Sequence, residues 1–359
     1  MSKPEGQTTD AISFVASVTQ VSATPFNRLI DLLEEYDLVG EAFERIMFCP
    51  LTAGESTHQT IRGLADTHDI SVALDSGGYE SQVSDEYTLR EIYRFDRDYY
   101  LKNDWPAEYV LPDQVPLADD NEETVRRKVY DTISLSRSLH AELPDNRQRR
   151  SVPVVQGHTR EQIVDCLDAY RELDHIQKIG FGSFSTGGVN GGVNYLTEDN
   201  IDFLQFIVDE AHRHGLDVHA FGIGGPTSIP ILHYCGVDTF DSTGWMRSGG
   251  YGNAFFPLKS RYNVTHLRER SGPTLFKQEL REVRQATGHS CPFCNSFDDL
   301  HDRREYRILH NLLVTRETCE MVQNLSVEEI LELMNSNSRY YGYLNRLTDS
   351  DRTVSSQSM

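Results

Sequence analysis

The sequence has little lysine, few cysteines and no long apolar run. Six of the 34 basic residues in this 359-residue chain are lysine, against 55 acidic residues and a net charge of −21. Six cysteines in a chain of this length do not form a disulfide framework, so we expect a reducing compartment. There is no run of about 18 apolar residues and no secretory leader pattern, so we expect a cytoplasmic protein without a membrane contact.

The negative charge argues at first against a nucleic-acid partner. An acidic, lysine-poor surface is also typical of a protein dissolved in concentrated salt, where screening shortens the reach of self-repulsion. We interpret the charge as that of a halophile's protein, and an acidic mesophilic protein from a GC-rich genome is the alternative. In either case a polynucleotide would have to bind to a local basic surface.

Eight short apolar runs alternate with helical patterns along the chain. This alternation indicates a parallel sheet that is covered by helices on both faces. About eight strand–helix steps predict an α/β fold of the (β/α)₈ TIM-barrel type. An open dinucleotide-binding sheet is less consistent, because the glycine-rich segment 180–192 lacks the G-x-G-x-x-G spacing. The runs are 12–18, 45–50, 70–74, 108–112, 151–156, 176–181, 217–223 and 237–240, and the clearest helical patterns are 121–143, 159–172 and 198–214.

Polar residues at the ends of the apolar runs are the candidates for chemistry, because the reactive groups of a (β/α)₈ barrel lie at the carboxyl ends of its strands. Glycines at 180–182 and 222–225 also offer bare backbone that a flat ligand could approach. The polar candidates are Asp75, Ser76, Asp113, Gln156, Asp238 and Asp241.

Five motifs, in this order, resemble the tRNA-guanine transglycosylase superfamily. The resemblance spans roughly residues 45 to 325 and implies a pentosyltransferase. Such an enzyme replaces guanine in a polynucleotide by a free 7-deazaguanine, for example preQ0, without breaking the backbone. The motifs are DSGGY (75–79), VVQG (154–157), IGFGSF (179–184), HAFGIGGP (219–226) and GVDTFDSTGWMRSGG (236–250).

The chemistry of base exchange fits the acidic candidates. Breaking an N-glycosidic bond gives the sugar C1′ oxocarbenium character, and a carboxylate beneath it can form a covalent glycosyl–enzyme intermediate. A second group must move the proton of the departing and arriving base. The resemblance implies that Asp241 is the nucleophile and Asp75 the general acid/base, while we expect Asp238 to be a salt-bridged or capping carboxylate.

A guanine-like base needs a carboxylate for its N1–H and exocyclic amine, and an amide or backbone N–H for its O6. The resemblance implies that Asp113 and Gln156 read the base, with the Gly182 backbone and Ser76 as supporting contacts. From the residues alone, a turn aspartate and a loop amide remain alternatives. Tyr79 stands where the family has a phenylalanine, and it either stacks on the base or packs as an ordinary aromatic.

A pattern of histidine and cysteine, H-x-C-x₂-C-x₁₅-H, suits a structural tetrahedral zinc. Cys291, Cys294 and His310 are the expected ligands, and His289 and His301 compete to be the fourth. The family has a cysteine at the position of His289 and a longer final gap. Four protein ligands leave no place for water, and we expect no organic cofactor. A reduced cysteine pair without metal is the alternative.

Basic residues with interleaved aromatics between 247 and 284 are the candidate polynucleotide surface, with Arg247, Lys259 and Arg261 as phosphate contacts. Arg247 falls where the family has an arginine, but Trp245 and Met246 precede it, so the nucleophile loop departs from that of the tRNA enzymes. We therefore expect DNA, as for the viral and bacterial relatives that insert 7-deazaguanines into DNA, and tRNA is the alternative. A viral protein would act in the host cytoplasm. The target nucleotide must be extruded from its stack.

Two other functions are consistent with parts of the sequence. A non-catalytic partner subunit is disfavoured because both Asp75 and Asp241 are present, and a metal-dependent barrel hydrolase would need more histidines at strand ends. The resemblance also implies a possible homodimer.

We expect the chain to divide into four parts. They are an N-terminal segment at 1–44 leading into the barrel, the catalytic barrel core at 45–245, the nucleophile loop, zinc segment and C-terminal helices at 246–346, and a flexible tail at 347–359.

Overall fold

Nine short parallel strands form one sheet in the computed structural model, in the order β5-β4-β3-β2-β1-β9-β8-β7-β6. The structure describes residues 11–19, 21–78, 80, 87–184, 194, 196–266, 272–336, 338 and 340–346. The predicted tail at 347–359 lies outside these residues. The strands are β1 Ser13–Ser17, β2 Arg45–Phe48, β3 Ser71–Leu74, β4 Glu108–Val110, β5 Ser151–Val152, β6 Val154–Val155, β7 Lys178–Phe181, β8 Asp217–Ala220 and β9 Thr239–Ser242.

One predicted strand, 151–156, supplies both ends of this sheet. Its first half, β5, pairs with β4, and its second half, β6, pairs with β7. Pro153 separates the halves, because proline has no N–H to continue a ladder. Since β5 and β6 are consecutive in the chain, the sheet curls into a nearly closed barrel, and the predicted (β/α)₈ fold is confirmed.

Helices follow the strands and cover the outside of the barrel. The predicted helices at 121–143, 159–172 and 198–214 are present, and each begins after a capping side chain: Asn121, Thr159 or Thr197. The barrel helices are α1 Ala23–Glu35, α2 Val39–Ala42, α3 Glu55–His68, α4 Leu89–Lys102, α5 Glu122–Glu142, α6 Asp145–Gln148, α7 Arg160–Arg171, α8 Glu198–Arg213 and α9 Ile229–Tyr234.

The apolar core has an inner and an outer part, as alternation along the strands requires. A small cluster fills the inside of the barrel, whereas a larger one lies between the strands and the helices. The inner cluster consists of Val15, Met47, Ala73, Val110 and Val154, with Phe221 packed against it.

The chain beyond β9 packs on one side of the barrel. Its longest helix contacts the helix that directly follows β9 as well as β1 and α9, so it joins the segment after the barrel to the barrel itself. Within the described ranges, no helix is both long and apolar enough to cross a bilayer. The elements are α10 Gly244–Gly250, β10 Asn253–Ala254, β11 Tyr262–Asn263, α11 Leu280–Thr287, a 3₁₀ turn Pro292–Cys294, α12 Phe297–Asp302, α13 Arg304–Asn324 and α14 Val327–Leu333.

Candidate active site and metal centre

Strand register directs three of the predicted site residues to the inside of the barrel. Asp241 on β9 is paired with Val15, a member of the inner cluster. Asp75 and Gln156 each lie two residues beyond an inner-cluster residue, Ala73 and Val154, and successive residues of a strand alternate between faces. The carboxyl end of the barrel is therefore acidic and polar.

Asp241 is 5% exposed and is held through one of its oxygens. The Gly222 N–H donates to Oδ1 at 2.6 Å, and His219 Nε2 lies 3.3 Å from the same atom. Gly222 has φ +61°, a conformation that favours glycine, and a Cβ there would lie 2.9 Å from Asn194 Nδ2. The nucleophile expected from the sequence thus has a fixed side chain.

Asp75 follows β3 and is half-buried at the same end of the barrel. Burial raises the pKa of Asp75 to about 7, and the charges of Asp241 and Asp113 add to the increase, while the Gly77 N–H lowers it. The carboxyl group of Asp75 therefore changes protonation near neutral pH, as a group that both gives and takes a proton should. The influence of Asp241 on this pKa places the two carboxylates in one electrostatic environment.

Asp113 and Gln156 lie in one buried hydrogen-bond network. Gln156 Nε2 donates to Asp113 Oδ2 at 2.6 Å, and the Ser76 hydroxyl donates to Oδ1 at 3.2 Å. Burial raises the pKa of Asp113 to about 6, although these two donors oppose the shift. The Ser183 hydroxyl completes the network by donating to Gln156 Oε1 at 2.6 Å.

Two glycines allow the backbone to approach this network closely. A Cβ on Gly182 would lie 2.7 Å from Gln156 Nε2, and one on Gly78 would lie 2.3 Å from the Asp113 carbonyl oxygen. Side chains at these positions would displace the groups predicted to read the base. The glycines therefore keep the floor of the site flat and accessible to a planar ligand.

Asp238 has the structural role expected from the sequence. Its Oδ2 accepts a hydrogen bond from the Val218 N–H at 2.6 Å and lies 3.0 Å from His212 Nε2. Asp238 immediately precedes β9, at the opposite end of this strand from the mouth of the barrel. Tyr79, the predicted stacking residue, lies outside the described residues.

A buried carboxyl group close to the mouth was not anticipated from the sequence. Asp96 on α4 is fully buried, and neither of its oxygens has a hydrogen-bond partner among the described residues. Burial raises the pKa of Asp96 well above its usual range, and the charges of Asp75 and Asp113 raise it further. The protonated form of Asp96 is therefore favoured by its surroundings.

Four side chains converge at a candidate metal centre outside the barrel. His289, Cys291, Cys294 and His310 are all buried, and their ligand atoms lie within 4.8 Å of one another. The separations are 3.2 Å from His289 Nε2 to His310 Nδ1, and 3.4 Å from Cys291 Sγ to both Cys294 Sγ and His310 Nδ1. A tetrahedral zinc with ordinary Zn–N and Zn–S lengths separates its ligands by roughly 3.3–3.8 Å, so the donor set fits zinc.

The remaining ring nitrogens of both histidines are occupied by outer partners, as is usual for metal-binding imidazoles. His289 Nδ1 is bonded to the Glu317 carboxylate, and His310 Nε2 lies 2.7 Å from the Phe255 carbonyl oxygen. Hydrogen bonds from Cys291 and from the two histidines lower the pKa of Cys294, which favours the thiolate. The competing ligand, His301, instead lies beside Asp302 with its side chain 41% exposed.

Helix α13 links this centre to the segment that carries Asp241. Next to His310, the Asn311 side chain accepts from the Phe255 N–H at 2.7 Å and donates to the Trp245 and Asn253 carbonyls at 3.2 and 3.0 Å. A Cβ on Gly249 would lie 2.8 Å from the Ile308 backbone, so α10 and α13 are in direct contact. The metal centre and the nucleophile segment thus share one helix as their support.

The three predicted phosphate contacts lie on this segment. Arg247 on α10 and Arg261 before β11 are exposed, whereas Lys259 is half-buried. Burial lowers the pKa of Lys259. Within the part of the chain that the structure describes, Lys259 and Arg261 form no ion pair. Among the described residues, then, no carboxylate neutralises either charge.

Two residues of the site were missed from the sequence. Ser183 lies in the IGFGSF motif and His219 begins the HAFGIGGP motif, so both were quoted without an individual role. The alternation of side chains along a strand could have identified His219. Residue 219 is two positions before Phe221, which packs against the inner cluster, so both side chains face the barrel interior.

Comparison with known protein families gives one match that covers more than half of the chain. The family described as queuine tRNA-ribosyltransferase matches residues 109–336. The tRNA-guanine(15) transglycosylase of Korarchaeum cryptofilum is 25% identical to this chain over 195 residues, which cover 51% of this chain and 28% of that protein. The matched family region includes Asp113, Gln156, Asp241 and all four candidate metal ligands.

Proposed function

We propose, because this chain belongs to the queuine tRNA-ribosyltransferase family, that it is a pentosyltransferase which exchanges guanine in a nucleic acid for a free 7-deazaguanine such as preQ0. The observation that carries the proposal is the pair of carboxyl groups at the mouth of the barrel. Asp241 is held by fixed donors, while Asp75 has a pKa raised to about 7 and responds to the charge of Asp241. One group is suited to attack and the other to proton transfer.

The reaction proceeds in two displacements. Asp241 attacks the sugar C1′ as the bond from C1′ to the guanine nitrogen breaks, and protonated Asp75 gives its proton to the departing nitrogen. The incoming base then returns a proton from its ring N–H to Asp75, and its nitrogen displaces Asp241 from C1′. Two displacements at one carbon retain its configuration.

Asp113 and Gln156 select the base. Ionised Asp113 accepts the N1–H and the exocyclic amine, and the Gln156 amide donates to O6, with Ser76 and the Gly182 backbone in support. Without a base, these groups satisfy one another through the bond from Gln156 Nε2 to Asp113 Oδ2. A bound guanine therefore exchanges one set of hydrogen bonds for another, which keeps the binding cost of burying these polar groups low.

The favoured polynucleotide is DNA, and tRNA is the alternative. DNA is favoured because the nucleophile loop contains Trp245 and Met246 before Arg247, and this loop is the short helix α10 packed against α13. The printed names of the matched family and relative, both tRNA enzymes, support the alternative. Lys259 and Arg261 contact the phosphates in either case.

Labelled guanine or preQ0, offered with duplex DNA or with tRNA, tests the function and the substrate together. We expect incorporation into DNA that is lost in Asp241→Asn, which keeps the shape of the side chain but cannot form the ester. Incorporation into tRNA alone would replace DNA by tRNA. If the label enters neither polynucleotide, the proposed enzymatic activity is wrong, and a non-catalytic partner subunit remains as the alternative.

A paired substitution tests the phosphate surface. Lys259→Gln with Arg261→Gln should raise the KM for the polynucleotide and leave the KM for the free base unchanged, because only the polynucleotide carries phosphates. Lys277→Gln is the control, since Lys277 Nζ is already paired with Asp298 at 3.0 Å. An equal effect of the control and the pair would argue against this surface.

The metal is proposed to be a structural zinc held by His289, Cys291, Cys294 and His310. When bound, zinc would hold the segment 289–294 to α13 and supply no chemistry to the exchange. Metal analysis of the purified protein should find one zinc per chain.

A further inference from the structure

The imidazole of His219 lies between Thr239 and Asp241 in the barrel interior. His219 is on β8 and 1% exposed, and β8 pairs with β9 so that residue 219 stands next to Thr239. His219 Nδ1 lies 2.9 Å from Thr239 Oγ1, and Nε2 lies 3.3 Å from Asp241 Oδ1. A buried ring thus connects a hydroxyl group to the carboxylate of the proposed nucleophile.

The hydrogen-bond partners of the His219 ring determine which of its two nitrogens carries the proton. An ionised carboxylate can only accept, so Nε2 must carry the hydrogen that faces Asp241. In neutral imidazole the other nitrogen then has a lone pair, and it accepts from the Thr239 hydroxyl. The opposite tautomer would place a nitrogen lone pair against a carboxylate oxygen, which is repulsive. The Thr239 hydroxyl therefore favours the tautomer that binds Asp241.

The surrounding side chains keep the ring in this orientation. The Phe221 ring centroid lies 4.4 Å from that of His219. Phe221 occupies the space above Gly180, where a Cβ would lie 2.0 Å from its ring. A rotamer change of His219 would therefore have to displace a packed aromatic ring.

The two oxygens of Asp241 are not equivalent. Oδ1 receives both the Gly222 N–H and His219 Nε2, whereas Oδ2 makes no hydrogen bond to any of the described residues. A carboxylate oxygen that accepts two hydrogen bonds is a weaker nucleophile than one that accepts none, because its lone pairs are already engaged.

We propose that His219 and Thr239 are positioning residues that hold Oδ1 of Asp241 and leave Oδ2 as the atom that bonds to the sugar C1′. This inference rests on the proposed function. As the Oδ2–C1′ bond forms, the electron pair of the C1′–nitrogen bond passes to the departing base, and that nitrogen takes its proton from Asp75. His219 transfers no proton in either displacement.

Kinetics of matched variants test the positioning role. Thr239→Val keeps the shape of the side chain and removes the hydroxyl, and His219→Leu removes the ring donor. Each should lower kcat by roughly 10- to 100-fold, the effect of losing a hydrogen bond to a charged group, with the KM for both substrates unchanged. Thr239→Ser should restore most of the loss. Unchanged kcat in both Thr239→Val and His219→Leu would overturn the proposal, as would a loss that Thr239→Ser does not restore.

A second measurement does not depend on activity. Nitrogen NMR of the folded protein labelled with ¹⁵N-histidine should show His219 protonated at Nε2 and unprotonated at Nδ1, with the signal assigned by its loss in His219→Leu. A proton on Nδ1 would overturn the proposal even if the enzyme exchanges guanine. Absence of exchange in the unsubstituted protein, by contrast, would refute the proposed function and the attacking role of Oδ2, whatever the tautomer.

Discussion

The mouth of the barrel and the metal centre both bury ionisable side chains, but they arrange them in different ways. At the mouth, Asp75, Asp113 and Asp96 are carboxyl groups whose charges oppose one another, and the pKa of each is raised. At the metal centre, four donors surround one point and are held from outside by partners such as Glu317. At the mouth, carboxyl groups with raised pKa values are suited to react, whereas at the metal centre the donors and their partners make that part of the fold rigid.

The two regions meet on α13, where His310 is one of the four donors and the neighbouring Asn311 bonds to the segment that follows β9. If the comparison is right, damage to the metal centre should act through stability, and damage to the mouth should act through catalysis.

Loss of a metal ligand should have the largest effect on folding. Cys294→Ala removes one of four donors, so we expect loss of bound zinc and a decrease of several kcal/mol in the free energy of unfolding. Metal analysis measures the bound zinc, and thermal unfolding measures the stability. The control is Cys235→Ala, another buried cysteine that is not among the four donors. An equal decrease in both variants, with zinc retained, would contradict the metal centre.

Asn311→Ala should separate the two regions. It removes three hydrogen bonds to the segment that follows β9, at a cost of roughly 2–4 kcal/mol, but it leaves the donor set intact. We expect zinc to be retained, kcat to fall, and hydrogen exchange to increase in residues 244–255. The matched control is Asn324→Ala, because among the described residues the Asn324 side chain bonds only within its own helix, to the Glu320 carbonyl. Zinc loss in Asn311→Ala would contradict the separation.

The pH dependence of exchange should report the carboxyl groups of the mouth. Protonated Asp75 is required at bond breaking, and its pKa is about 7. The rate of the first displacement should therefore fall as the pH rises above about 7, by up to tenfold per pH unit. Ionised Asp113 is required to accept both hydrogens of the base, and its pKa is about 6. Base binding should therefore weaken below about pH 6.

Initial rates between pH 5 and 9 measure the predicted decrease above pH 7, and the affinity for the free base over the same range measures the predicted weakening below pH 6. Thermal unfolding at each pH is the control. A rate that keeps rising up to pH 9 would contradict the assignment of Asp75 as the acid.

Asp96→Asn should have the smallest effect on activity, because it acts on stability alone. The pKa of Asp96 is raised in the folded protein, so the unfolded chain loses its proton first as the pH increases, and Asp96 destabilises the fold progressively above its unfolded pKa. Asn cannot ionise, so between pH 5 and 8 the variant should gain stability relative to the unsubstituted protein, by about 1.4 kcal/mol for each pH unit that lies between the unfolded and the folded pKa of Asp96. Urea unfolding measures this, and exposed Asp98→Asn is the control. A constant difference across this range would show that Asp96 is ionised.

The fold could be predicted well from the sequence because buried parallel strands are continuous apolar runs. All eight predicted runs overlap barrel strands. The division of 151–156 at Pro153 was not foreseen, and β9 continues past the predicted run 237–240 to Ser242. The choice between His289 and His301 could not be made from spacing. It depends on α12, which places His301 beside Asp302 instead of among the donors.

The finer structure of the site could not be read from residue types. The bond between His219 and Asp241 depends on the pairing of β8 with β9, and the isolation of Asp96 depends on how α4 packs against the barrel. Both are relations between segments distant in sequence. Motifs identify the residues that form a site, whereas strand register decides which of their atoms meet.

The most direct test of the account is to identify the residue of the protein that bonds to the sugar. The enzyme, mixed with guanine-containing duplex DNA or tRNA and denatured with acid within one turnover, should yield a covalent adduct. Peptide mapping by mass spectrometry should place its ester on Asp241, and Asp241→Asn should give none. An adduct on Asp75 or Asp238, or guanine exchange without any adduct, would contradict the account.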